Sequence, residues 1–221
     1  MPLSQIEQWL QEAGYEYHCF VSYPRIKTRD GSVDSEHPIN VCAGQVRDAL
    51  ERCLSFSIPN PQVFLDVGMG GGVDWERNLR RALCRSLVMV AICSDIYFHP
   101  AHSWCGMEWA AMDALGDCRL RGSDLRPIFP LMIKREKALP PVAARVPQWG
   151  DISGAALSRR YYSTKAFSQC ILGVVAHIER VAETLCERDI RSGCEQFDFP
   201  QISAFADWRP SRPEFPLTGG R

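Results

Sequence analysis

Apolar residues recur along this chain with two periods, and the alternation between them outlines a fold. Residues 3–13 set Ile6, Trp9 and Leu10 at helical spacing and stop at Gly14, which predicts a short amphipathic helix. YHCFVSY at 17–23 is β-branched and aromatic and runs into Pro24, the mark of a strand entering a loop. Residues 25–38 are polar and read as a mobile connection. Helical spacing returns with Val41, Val46, Ala49, Leu50 and Cys53 over 41–54. VFLDV at 63–67 is a second short strand, and the glycines after it lead to Asp74, placed as the cap of a helix over 75–84.

LVMVAIC at 87–93 is apolar on both faces, as a central parallel strand must be. A helix follows Pro100, with Ser103 as its expected cap. Residues 125–133 read as another strand, whose Pro127 and Pro130 predict an edge position or an irregular entry. Residues 134–147 read as a loop and 149–152 as a last short strand. Phe167, Ile171, Val174, Val175, Ile178, Val181 and Leu185 mark a long amphipathic helix over 164–186. Beyond 191, Phe197, Phe199, Phe205, Trp208 and Phe215 lie among prolines, so this tail is expected to lie against the domain without regular structure.

The organisation is therefore an accessory helix in 1–15, a domain in 16–190 and an aromatic, proline-rich tail in 191–221. Strands alternating with helices predict an α/β, flavodoxin-like fold with a central parallel sheet of about five strands flanked by helices. Such folds bind ligands beyond the carboxyl ends of the strands. Three loops occupy that rim, at 22–29, 66–74 and 94–103.

Composition narrows the classes. The chain has 25 basic and 26 acidic residues, so no polybasic footprint argues for nucleic acid or an anionic membrane as partner. Of its ten cysteines, Cys19, Cys84 and Cys93 fall inside apolar or helical segments, which fits reduced thiols in a cytoplasmic protein better than a disulfide scaffold. The first residues form no apolar signal core, and the run at 87–93 is too short to span a bilayer. A cytoplasmic location follows as an expectation.

The candidate chemistry centres on Trp104 and Glu108. Four residues apart on a helix, they share a face. Taken alone, a helical glutamate is usually solvated and a tryptophan usually packs; their place at the rim is what raises their interest. The cluster Gly68, Gly70, Gly71 and Gly72 could cradle an anion. As a dinucleotide fingerprint it is poor, with Val73 where a third glycine belongs, and a flexible or partner-contacting loop fits it better. His99, His102 and Cys105 are three apart, yet no closing ligand follows, so zinc is disfavoured. No G-x-S-x-G elbow is present and Ser103 has no evident base.

Taken together, YHCFVSYPR at 17–25, VFLDVGMGGGVDW at 63–75, LVMVAICS at 87–94 and SWCGMEW at 103–109 resemble a TIR domain, over residues 17 to about 185. The S-W-C-x-x-E element is the most specific part and is typical of bacterial members. The resemblance implies an NAD-consuming enzyme, a glycohydrolase or ADP-ribosyl cyclase, with Glu108 as the catalytic residue and Trp104 shaping the pocket. Tyr23 and Arg25 match positions beside the nicotinamide and ribose, and Asp66 and Ser94, at strand ends on the rim, complete the expected substrate-binding set. Gly70, Gly71, Gly72, Asp74 and Trp75 match a loop that packs on a neighbouring protomer, although GMGGG replaces the usual acid and proline-glycine pair. NAD is then substrate rather than cofactor, and no metal is implied. The expected partners are further copies of the chain on activation and a separate effector that senses the product, as in antiphage systems of the Thoeris type. A non-enzymatic TIR interaction module and a nucleoside deoxyribosyltransferase-like enzyme remain alternatives.

Overall fold

The computed structural model describes residues 3–66, 73–133, 149–156 and 158–200. Among these residues are five α-helices and five strands, in the order α1 (Leu3–Glu12), β1 (Tyr17–Ser22), α2 (Pro38–Leu54), β2 (Val63–Leu65), α3 (Val73–Cys84), β3 (Ser86–Cys93), α4 (Ser103–Arg119), β4 (Ile128–Met132), β5 (Gly150–Asp151) and α5 (Lys165–Glu187). The strands form one all-parallel sheet in the order β2-β1-β3-β4-β5. This is the flavodoxin-like order that the alternation predicted.

β3 is buried at all eight positions, and its side chains part by the period of two. Val88, Val90 and Ile92 join the core under α1, α2 and α5, where Leu50, Leu54, Val174 and Ile178 pack. Met89, Ala91 and Cys93 face the other way, against Leu83 of α3 and Met107, Trp109 and Met112 of α4. Each such side chain stabilises the fold by about 1.5–3 kcal/mol on burial. Among the described residues both faces of the sheet are therefore covered, which leaves its loop-bearing ends for a ligand.

Four expectations need correction. Ser103 and Asp74 are not caps: α4 begins at Ser103 itself, after a 3-10 turn at Pro100–His102, and α3 begins at Val73. The segment 25–38 carries order, with a bridge between Lys27 and Val33 and with Asp30 accepting from Ser32 N at 3.0 Å. β4 is no edge strand, since it pairs with β3 on one side and β5 on the other. Met89 N donates to Pro127 O at 2.7 Å and Ile133 N to Cys93 O at 2.9 Å, so odd-numbered residues of β4 address β3. Pro130 is even-numbered, and its missing N–H faces the β5 side, where pairing starts only with Leu131 and Gly150. The proline thus removes no bond from the central ladder.

The fourth correction concerns the thiols. Cys84, at the end of α3, is joined to Cys194 in a disulfide across 110 positions of sequence, while the other eight cysteines form no disulfide. The pairing arises because the chain after α5 returns beneath α1. There Ser192 N donates to Ala13 O at 2.9 Å and Trp9 Nε1 to Asp189 Oδ1 at 3.0 Å. Gly14 permits the close approach: its φ is +84°, and a Cβ there would stand 2.8 Å from Ser192 Oγ. Buried Arg119 completes the junction by donating to the carbonyls of Cys84 at 2.6 Å and Ser86 at 3.2 Å, and to that of Ser192. The tail expected to lie on the domain does so through Phe197 and Phe199, with Arg80 stacked 5.1 Å from the Phe199 ring. Phe205, Trp208 and Phe215 lie outside the described residues. Among the described residues, no helix is long and apolar enough to cross a membrane.

Candidate active site

A cavity of about 570 Å³ opens at the carboxyl ends of β1 and β2, where the start of α3 and the first two turns of α4 meet the loop after β1. A volume of that order suits a ligand larger than a single ring. Its lining brings together Tyr23, Arg25, Asp66, Trp75, Trp104 and Glu108 from four separate segments. Five of the six are rim residues in the sequence pattern; Trp75 was expected in an assembly loop and instead lines the cavity.

Glu108 is 7% exposed because α4 is apolar nearly all round and buries most of its length. Its carboxyl is not left bare. Ser22, the last residue of β1, donates from Oγ to Glu108 Oε2 at 2.5 Å, and Ser22 Oγ lies 2.5 Å from the hydroxyl of fully buried Tyr97. Burial pushes the Glu108 pKa up to about 7, against the downward pull of the Ser22 hydrogen bond and the Arg25 charge. The group is therefore poised near neutrality, where a catalytic acid or base is most effective.

A second network in the lining is built around Asp66. Arg25 forms an ion pair with Asp66 Oδ2, and Trp75 Nε1 donates to the same oxygen at 2.8 Å. Tyr23 donates to the Asp66 backbone carbonyl at 3.1 Å, which ties the loop after β1 to the end of β2. The Arg25 guanidinium stacks 5.6 Å from the Trp75 ring, a cation–π contact. Trp75 in turn meets Trp104 edge to face, with ring centres 4.8 Å apart and planes at 78°. The two indoles form an apolar corner beside the carboxylate, and Lys27 adds a cation to the lining. Asp66 Oδ1 is buried with no hydrogen-bond partner among the described residues.

The remaining candidates separate. Ser94 is not part of the lining; it sits just past β3 with its hydroxyl buried and unpartnered among the described residues. Asp74 is the second residue of α3, and Gly70, Gly71 and Gly72 lie outside the described residues. Among the described residues, no three metal-ligating side chains cluster; His99 instead caps the 3-10 turn by accepting from Ala101 N at 3.2 Å. His102 lines the cavity, with burial holding its pKa down. Ser22 and Tyr97 were missed. The available signal was a hydroxyl at the inner end of an otherwise apolar strand.

A family model described as TIR domain matches residues 42–170, a span that holds Asp66, Trp75, Trp104 and Glu108 but begins after β1. Neither the curated proteins nor the solved structures gave a match. With more than half of its length in that match and a parallel sheet bearing the cavity at its carboxyl rim, the chain belongs to the TIR domain family.

Proposed function

We propose that the protein cleaves the bond between nicotinamide and ribose in NAD, with Glu108 as the catalytic residue. The observation that carries this reading is the buried Glu108 carboxyl, hydrogen-bonded through one oxygen and not held in an ion pair as Asp66 is, beside a corner of two tryptophans in a cavity of about 570 Å³. The corner offers an apolar face to the planar nicotinamide ring and keeps water from it. As the C–N bond breaks, its electron pair leaves with nicotinamide, neutralising that ring and leaving positive charge on the ribose. Ionised Glu108 stabilises this developing cation through the ribose hydroxyls, as carboxylates do in glycoside cleavage. Water then adds to the ribose carbon and loses a proton, giving ADP-ribose; attack by the substrate's own adenine or ribose oxygen gives a cyclic product instead.

The reading extends to setting. An enzyme that self-associates on activation and makes a nucleotide signal for a separate effector, in bacterial antiphage defence, is what the TIR resemblance implies. Incubation of the purified protein with NAD, followed by chromatography and mass analysis, is the test. Nicotinamide should appear with ADP-ribose or a cyclic isomer, and Glu108→Gln should lower the rate by at least about a hundredfold. Base exchange on deoxynucleosides without NAD turnover would point to a deoxyribosyltransferase-like reaction. No turnover even in concentrated protein would leave a non-enzymatic interaction module.

A further inference from the structure

Glu108 receives its hydrogen bond from a chain of two hydroxyls, and the chain has a fixed direction. An ionised carboxylate only accepts, so the one proton of Ser22 is committed to Glu108 Oε2. The Tyr97 hydroxyl is fully buried, and its hydrogen-bond partner among the described residues is Ser22 Oγ. If Ser22 donated to Tyr97, the phenol proton would have no acceptor, at a cost of about 1–3 kcal/mol. Tyr97 therefore donates to Ser22, and Ser22 donates to Glu108.

We propose that Tyr97 and Ser22 are positioning residues that hold Oε2 of Glu108 as a permanent acceptor and reserve Oε1 for the ligand and for proton exchange. A proton on Oε2 aimed at Ser22 Oγ would displace the Ser22 hydrogen from its acceptor and leave either that hydrogen or the phenol's unpaired. Uptake is thereby confined to the other oxygen. The aromatic ring that anchors the chain is locked between Phe98 and Trp109, with ring centres 4.8 and 6.2 Å away, so the anchor cannot swing with the ligand. Other groups facing Glu108 are Tyr23 and Arg25 from the loop after β1 and Cys105 from its own helix, with Lys27, Asp66 and His102 across the cavity. Of these, Arg25 alone stabilises the ionised form of Glu108 by charge, and it is shared with Asp66.

The carboxyl and the reaction are tested separately, because only the effect on turnover rests on the NAD reading. The titration of Glu108 is followed by NMR in protein carrying carbon-labelled glutamate, its resonance assigned by loss in Glu108→Gln. The midpoint should rise by about one pH unit in Ser22→Ala and by less in Tyr97→Phe, as expected for loss of a charge-assisted hydrogen bond. Ser22→Thr, which keeps the hydroxyl, should return it to the wild-type value. Tyr97→Phe should add nothing once Ser22 is alanine, since it acts through that hydroxyl. In turnover, kcat should fall about tenfold with KM for NAD within twofold, and the acid limb of the pH profile should follow the carboxyl midpoint. Unmoved midpoints, or a Tyr97→Phe effect of equal size in both backgrounds, would overturn the proposal. Moved midpoints in a protein that releases no nicotinamide would uphold the chain and refute the NAD reading alone.

Discussion

Replacing Glu108 by glutamine should stabilise the protein at pH 8 and leave its stability at pH 4 unchanged. The carboxyl titrates near 4.5 when exposed and is pushed up to about 7 by burial in the folded chain. Below the lower value both states carry the proton, and no difference arises. Between the two values the unfolded chain has released its proton while the folded chain still holds it, so rising pH favours unfolding. Above pH 7 the folded carboxyl is ionised as well, and the full penalty of about 3 kcal/mol persists. That figure is net of the Ser22 hydrogen bond and the Arg25 charge, which act downward within it. Glutamine carries no charge to desolvate and can still accept from Ser22. Denaturant unfolding of both proteins at pH 4, 6 and 8 measures the effect, which corresponds to roughly 6–12 °C in Tm for a chain of this size. A difference between the two proteins that stays constant with pH would refute the argument. So would a variant less stable at pH 8 than at pH 4 by the same margin as wild type.

Two further outcomes follow from the junctions around the site. Cys194→Ser, or reductant on the wild type, should lower stability by about 2–4 kcal/mol in denaturant unfolding, because the bond closes a loop of 110 positions, and reductant should leave the variant unaffected. Trp75→Phe keeps an aromatic ring against Trp104 but removes the N–H on Asp66 Oδ2; steady-state kinetics should show KM for NAD raised about tenfold with kcat nearly unchanged, and an unaltered KM would exclude Trp75 from the binding wall.

The sheet was legible because its signals are local. A run such as LVMVAIC can be satisfied only between two covered faces, and the alternation of strand and helix leaves few topologies. Trp104 and Glu108 were legible for a related reason, since their spacing on one helix decides that they share a face. Pro130 misled because a proline usually marks an edge; which neighbour its missing N–H faces depends on register, and register is a property of two strands. Ser22 and Tyr97 are 75 positions apart, and both occur far more often as packing than as a pair. Cys194 sits in an irregular segment, where no periodicity says that the chain turns back to Cys84. These misses were contacts between segments that have no pattern in common.

Arg119 also bears on the order of events during synthesis. Its guanidinium serves carbonyls from the end of α3, the start of β3 and the segment after α5. The last of these, on Ser192, is 73 positions downstream, so a nascent chain that has made the first four strands holds a buried cation with part of its acceptors still unsynthesised. Until Ser192 leaves the ribosome, the junction of α1, α3 and β3 around Arg119 lacks that carbonyl. The segment after α5 thus acts as the closing stitch of that junction, and a nascent chain that lacks it leaves the junction's apolar and polar groups exposed together.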